Sequence, residues 1–394
     1  MNELLFQNAT VFLGDRFLTG ASVHVANGHI QTITDQSPAT APAGATVVDL
    51  ADDYLIPGLV DLQLYGGSQL FLNEIPTPDT VRHIFATLNR NGTTTLLPTI
   101  HSTSLDVMQQ AIDAVAVVRA ENPLGVPGIH VEGPYFNPIK RGAHSAAFVR
   151  VPDEAELDAL FSRNADVIRI LTLAPEIMPP ERLAQLFALK HPDTRLSLGH
   201  SNATYRQATD ALNTGQIPLA THLYNAMRGF ESREPGVVGA IFDHPTVCTS
   251  LVADGYHCDP ATIRIAHHIL GDRLFLISDA LFAAPPGIEG PRPTFTLGEF
   301  VVHYATDPDG PSVDSPGRYM NDEGKLAGSA LTLIDCVRVC VVKAGLPLAD
   351  ALRMATSIPA DVAGLGDQIG RIQVGHAARL VRLDKSLTVQ AVWQ

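Results

Sequence analysis

The chain has 394 residues, enough at roughly 150 per domain for two or three units, although a barrel of about 250 residues counts as one. Hydrophobic residues at 45% and charged residues at 17% exclude disorder, and a net charge of −14 with no Lys/Arg run longer than two residues excludes the footprint of a nucleic-acid binder. No apolar run reaches the roughly 18 residues of a spanning helix, and the first residues carry Glu3 and no basic region, so the expectation is a soluble, cytoplasmic, enzyme-sized protein.

Residues 1 to 56 alternate short apolar runs (LLFQNATVFL, SVHVANG, IQTI, TVVDL) with Gly, Asp and Asn, the pattern of hairpins in a small antiparallel sheet. The last stretch, GRIQVGHAARLVRLDKSLTVQAVW, has the same texture. The two ends are therefore expected to meet in one small β-sandwich domain, residues 1–56 with 375–394, around a middle of different character, residues 57–374.

In that middle, eight apolar runs of strand length follow one another: 59–64, 93–99, 128–133, 167–174, 195–200, 218–223, 247–254 and 274–280. From Leu64 to Asp279 their ends recur about every 31 residues, close to one βα unit. Helical apolar spacing fills the gaps: Val81, Ile84, Phe85 and Leu88, with Gly92 as a stop; Leu105, Met108 and Ile112; Leu183, Leu186 and Phe187. A parallel strand covered on both faces reads as a continuous apolar run and needs a crossover helix, so eight units predict an α/β fold, a (β/α)8 TIM-like barrel. A doubly wound open sheet is the rival, but no Gly-rich phosphate fingerprint follows the first strand. Residues 285–323, rich in Pro, Gly and Asp around FTLGEFVVHYAT, read as a β-hairpin insertion making a solvated excursion.

Barrel chemistry stands at the C-terminal ends of strands. Four runs end in a ligand or an acid: Glu132 after GIHV, His200 after RLSLG, His222 after PLAT and Asp279 after LFLIS. Each has a bland explanation alone, a satisfied structural histidine or a capping aspartate. Together, buried carboxylates and imidazoles at apolar strand ends call for a cation. One Glu and two His with water in the fourth position form an open hydrolytic metal site, and Asp279 is placed to take a proton from that water and pass it to a leaving amine.

The runs IPGLVDLQLYGG, HVEGPYFNPIKRGAH, LGHSNATY, THLYNAMRGFESREPG, ADGYH, ISDA and KLAGSALTL, in this order and spanning nearly the whole chain, resemble the N-acetylglucosamine-6-phosphate deacetylase family of the amidohydrolase superfamily. The resemblance implies a (β/α)8 barrel with a β-sandwich built from both chain ends. It implies that Glu132, His200 and His222 hold one divalent ion per subunit, zinc first, with Fe2+, Co2+ or Mn2+ as alternatives, and that Asp279 is the acid and base. It implies that His144 hydrogen-bonds the acetyl carbonyl. Asn225, Ala226, Arg233 and His257, with backbone of Ala143 and of Leu326, Ala327 and Gly328, would contact the sugar and its phosphate, Arg233 reaching in from a neighbouring subunit of a homodimer.

The implied reaction releases acetate from N-acetyl-D-glucosamine 6-phosphate. The galactosamine isomer, a cyclic amidase or deaminase, and a metal-free binding protein are the alternatives. The His-x-His that many amidohydrolases carry on strand one is here Gln63-Leu64-Tyr65, and strand four ends in LAPE without a lysine. Both absences favour a single metal. Cys248, Cys258, Cys336 and Cys340 form no CxxC and are expected to be buried free thiols. His101 and His191 are read as loop residues outside any constellation.

Overall fold

Each of the eight apolar runs forms a strand of one parallel sheet in the computed structural model, which describes residues 3–35, 39–284, 290–306, 317–322, 324 and 326–394. The strands are Leu59–Leu64, Thr93–His101, Ile129–Glu132, Ile168–Leu173, Arg195–Leu198, Leu219–Ala220, Cys248–Val252 and Leu274–Ile277. They neighbour one another in sequence order, as right-handed βα repetition requires. Closure comes from strand ends: Asp279 N–H donates to Gln63 O at 3.0 Å, and Tyr65 N–H donates to Ala280 O at 2.9 Å. Every residue of Leu59–Leu64 and of Thr93–His101 is buried, which is why those runs show no polar alternation.

The crossover helices begin and end where the sequence places them. Thr77 caps Pro78–Asn89 by accepting from Thr80 N–H at 3.3 Å, and Val81, Ile84 and Leu88 are buried against the sheet. Ser104 caps Leu105–Glu121, which buries Met108 and Ile112. Leu333–Val342 buries Cys336 and Cys340 as packing residues; Cys258 is buried too, Cys248 is half-buried, and all four are free thiols.

The chain ends share one seven-stranded sheet. Leu380–Leu383 lies antiparallel to Tyr54–Pro57, with Leu380 opposite Pro57, and Tyr54–Pro57 continues into Leu4–Phe12, Phe17–Ala26 and His29–Thr34. The tightest hairpin turns on Asn27 and Gly28, at φ +52° and +75°, the left-handed pair that a two-residue turn demands. Phe6, Val11, Val23, Val25, Ile30, Leu55 and Leu380 form a core separate from that of the barrel.

The segment after strand eight departs from the expected hairpin. It carries four antiparallel strands, Thr294–Leu297, Phe300–Ala305, Arg318–Asn321 and Leu326–Ser329, the last lying beyond the expected boundary; residues 285–289, 307–316 and 323 of the expected insertion lie outside the described residues. Nor is it merely solvated. Phe295, Leu297, Val302 and Tyr319 turn inward and pack with Tyr65, Phe71 and Phe282, so this sheet is fastened to the barrel mouth by aromatic contacts such as Phe282–Phe295 at 4.8 Å between centroids. The period-two alternation of TFTL, exposed Thr and buried Phe and Leu, is the local cause.

Candidate active site

Glu132 is the last residue of the third strand, and His200, His222 and Asp279 follow the ends of the fifth, sixth and eighth by two residues. The backbone turns abruptly there: His200, His222 and Asp279 have φ of +49°, +39° and +53°. Non-glycine residues pay on the order of 1–3 kcal/mol for such conformations, and they cluster where side chains must be aimed against local preference. All four side chains are buried in one cavity of about 200 Å³ at the C-terminal mouth. A larger cavity, about 380 Å³, opens at the opposite end beside Arg195, Leu219 and Cys248, the face where barrels carry stability rather than chemistry.

The donor atoms have the spacing of ligands on one ion. Glu132 Oε1 lies 3.4 Å from His200 Nε2 and 3.2 Å from His222 Nε2, and the two Nε2 atoms are 3.0 Å apart. Ligands 2.0–2.1 Å from a tetrahedral zinc stand about 3.3–3.4 Å from each other. His200 Nδ1 lies 2.9 Å from the Lys140 carbonyl, to which it can only donate, leaving Nε2 with a lone pair facing the cavity. Glu132, His144 and His200 also bring ligand atoms within 4.8 Å of one another. His144 is nevertheless the poorer ligand, because its Nδ1 accepts Ser102 N–H at 3.2 Å, so its Nε2 carries the hydrogen. That hydrogen points into the cavity as a donor.

Electrostatics separate the roles. Burial works against charge on Glu132, but the imidazoles of His144, His200 and His222 hold its carboxyl well below the usual carboxylate range. Burial, reinforced by Glu132, raises the carboxyl of Asp279 against the pull of His222 and His257. Asp279 Oδ1 accepts from Gln63 Nε2 at 2.8 Å and lies 3.2 Å from Tyr65 Oη, while Oδ2 makes no hydrogen bond among the described residues. Burial, then the charges of His101 and His200, push His144 well below the ordinary histidine value, keeping it neutral. His257 goes the other way: burial opposes its charge, but Asp254 Oδ2, 2.6 Å from its Nδ1, raises it and favours a cation.

Ala143, Asn225, Ala226, His257, Leu326 and Ala327 face the same cavity. Two expected substrate contacts do not. Gly328 is packed on Leu281, where a Cβ would come within 2.7 Å of Leu281 Cγ, and Arg233 is exposed on the segment after Met227, outside the cavity of its own chain. His101, read from sequence as a loop residue, ends the second strand, stacks on His144 at 3.4 Å between ring centroids and lines the cavity; burial pushes it down to about 4. Its signal was the last position of TTTLLPTIH, one step beyond where the apolar run breaks.

An eight-stranded parallel barrel with carboxylates and imidazoles converging at its C-terminal mouth defines a barrel hydrolase of the metal-assisted kind. The model of the Amidohydrolase family matches residues 54–394. The chain belongs to the amidohydrolase family, hydrolases acting on amide C–N bonds. It is 33% identical to an N-acetylgalactosamine-6-phosphate deacetylase of Shewanella sp., over 99% of this chain and 94% of that one. It is 32% identical to an N-acetylglucosamine-6-phosphate deacetylase of Vibrio furnissii, over 89% and 84%. The crystal structure of N-acetylglucosamine-6-phosphate deacetylase from Pasteurella multocida superposes with a TM-score of 0.88 at 30% identity, covering 99% of this chain and 98% of that chain.

Proposed function

We propose that the chain hydrolyses N-acetyl-D-glucosamine 6-phosphate to D-glucosamine 6-phosphate and acetate, with Glu132, His200 and His222 holding one divalent ion. The observation that carries this reading is the 3.0–3.4 Å triangle of Glu132 Oε1, His200 Nε2 and His222 Nε2 beside a free carboxylate oxygen of Asp279. Two nitrogens and one oxygen suit zinc best, and an ion bound there supplies Lewis-acid polarisation of the carbonyl and acidifies water. Asp279 Oδ2 takes the proton of the attacking water. The His144 Nε2–H donates to the carbonyl oxygen as it gains charge, and Asp279 then delivers its proton to the sugar nitrogen as the C–N bond breaks. The raised pKa of Asp279 suits it to the second task.

A sugar phosphate needs a local cation in this acidic protein, and His257, held charged by Asp254, is placed to supply one. Binding should strengthen as the phosphate takes its second charge near pH 6 and weaken again as His257 loses its proton, above the ordinary histidine value. The measurement is KM against pH: His257→Gln should raise KM and abolish the upper limb. Exposed Arg233, with Phe230 beside it 63% exposed, supports a homodimer in which each subunit lends Arg233 to the other's phosphate. Arg233→Ala should then raise KM about tenfold or more with kcat little changed, and mixing it with a His144→Ala protein should restore part of the activity at hybrid sites.

We assign residues 1–56 with 375–394 to the end domain and 57–374 to the catalytic barrel; a phosphorylated substrate and four unpaired cysteines support a cytoplasmic setting. A second reading, the galactosamine isomer as substrate, is favoured by the Shewanella relative, whose match covers more of this chain than the Vibrio match. Acetate release from the two N-acetylhexosamine 6-phosphates in competition tests both: a higher kcat/KM for the glucosamine form supports the first reading, and a higher value for the galactosamine form the second.

A further inference from the structure

The end of the first barrel strand places two uncharged side chains between the acids of the site. Gln63 and Tyr65 are 1% and 5% exposed, and both reach into the space separating Glu132 from Asp279. Gln63 Nε2 stands 2.8 Å from Glu132 Oε1, 2.8 Å from Asp279 Oδ1 and 3.0 Å from Tyr65 Oη, so its two hydrogens are shared among these three oxygens. The phenol of Tyr65 has one hydrogen to give. It donates to Glu132 Oε2, and its oxygen lies 3.2 Å from Asp279 Oδ1.

This divides the labour of the Glu132 carboxylate. Oε1 faces His200 and His222, whereas Oε2 is tied to Tyr65 and lies 3.5 Å from His144 Nε2. A carboxylate with both oxygens free can close on a cation in bidentate fashion and take up a coordination position; here that would compete with the buried phenol for Oε2. The ring cannot easily turn away, because it is wedged edge-on to His101 at 5.7 Å and against Phe71 at 6.4 Å between centroids.

We propose that Tyr65 is a positioning residue that holds Glu132 as a one-oxygen ligand through its hydrogen bond to Oε2. The inference rests on the metal reading of the site. It keeps one coordination position open for water and the acetyl oxygen, which is what a hydrolytic centre needs.

The test uses the full chain loaded with Co2+, whose visible absorption and X-ray absorption report coordination number independently of turnover. Wild type should bind one ion per chain in a low-coordinate site. Tyr65→Phe, close to isosteric, should still bind one ion, gain one oxygen in its shell, lose visible absorption intensity, and lose about tenfold in kcat. Tyr65→Phe with wild-type absorption and coordination number would overturn the role given to Tyr65. Wild type that takes up no cobalt would overturn the metal reading itself, so the two failures are distinguishable.

Discussion

Asp279→Asn should lower kcat by about 10³-fold while leaving metal content and folding unchanged, because general acid and base catalysis by one positioned group is worth 10²–10⁴. The substitution is conservative where it matters structurally. An asparagine oxygen can still accept from Gln63 at the Oδ1 position, so the hydrogen bond of 2.8 Å survives. Only the proton-carrying capacity of the other oxygen is lost. Since burial and Glu132 raise the Asp279 carboxyl, the wild-type rate should fall on the acid side as that group takes up its proton before substrate binds, and the residual rate of the variant should lack this limb. Steady-state kinetics across pH, with metal analysis on the same preparations, is the check. A variant that holds its metal and turns over at the wild-type rate would remove Asp279 from the mechanism.

Glu132→Ala should cost more than activity. Among the described residues its carboxylate is the only one within ion-pair distance of both His200 Nε2 and His222 Nε2, and it is fully buried. Removing it leaves two imidazoles 3.0 Å apart with no anion between them. Metal affinity should fall by more than about 100-fold, beyond the 10–100-fold typical of losing an outer hydrogen-bond partner. Stability should follow, since a ligand that binds only the folded chain at a thousandfold excess over its Kd contributes about 4 kcal/mol. Chelation should therefore lower the Tm of wild type and leave that of Glu132→Ala nearly unmoved. Equal shifts in the two proteins would contradict the assignment.

The barrel was legible because its strands are buried on both faces and so write themselves as unbroken apolar runs. The ends of those runs were less well marked. The run 195–200 gives a ladder of Arg195–Leu198, and 218–223 gives only Leu219–Ala220, since the chain leaves the ladder just before His200 and His222 to turn left-handed. Sequence periodicity does not register that turn, yet it is what aims the imidazoles. Glu132, His200, His222 and Asp279 could be found because position at a strand end and residue chemistry agree.

His101 could not be found in the same way. Its place depends on stacking with His144, 43 residues away, and no local pattern encodes a contact of that range. The four-stranded sheet at the mouth was half legible: TFTL and FVVHYA alternate as strands should, but their inward side chains find Phe71 and Phe282 only once the barrel is closed. Tyr65 was visible as a departure from His-x-His, while its neighbours Glu132 and Asp279 stand at the ends of the third and eighth strands.

The most direct test is a crystal of the purified chain with a hexosamine 6-phosphate, measured at the absorption edge of the metal found by elemental analysis. The account predicts one anomalous peak per chain, about 2.0–2.2 Å from Glu132 Oε1, His200 Nε2 and His222 Nε2, with Asp279 turned toward the open side of the ion. A peak bound by other residues, or a fully active chain with no peak at all, would contradict it.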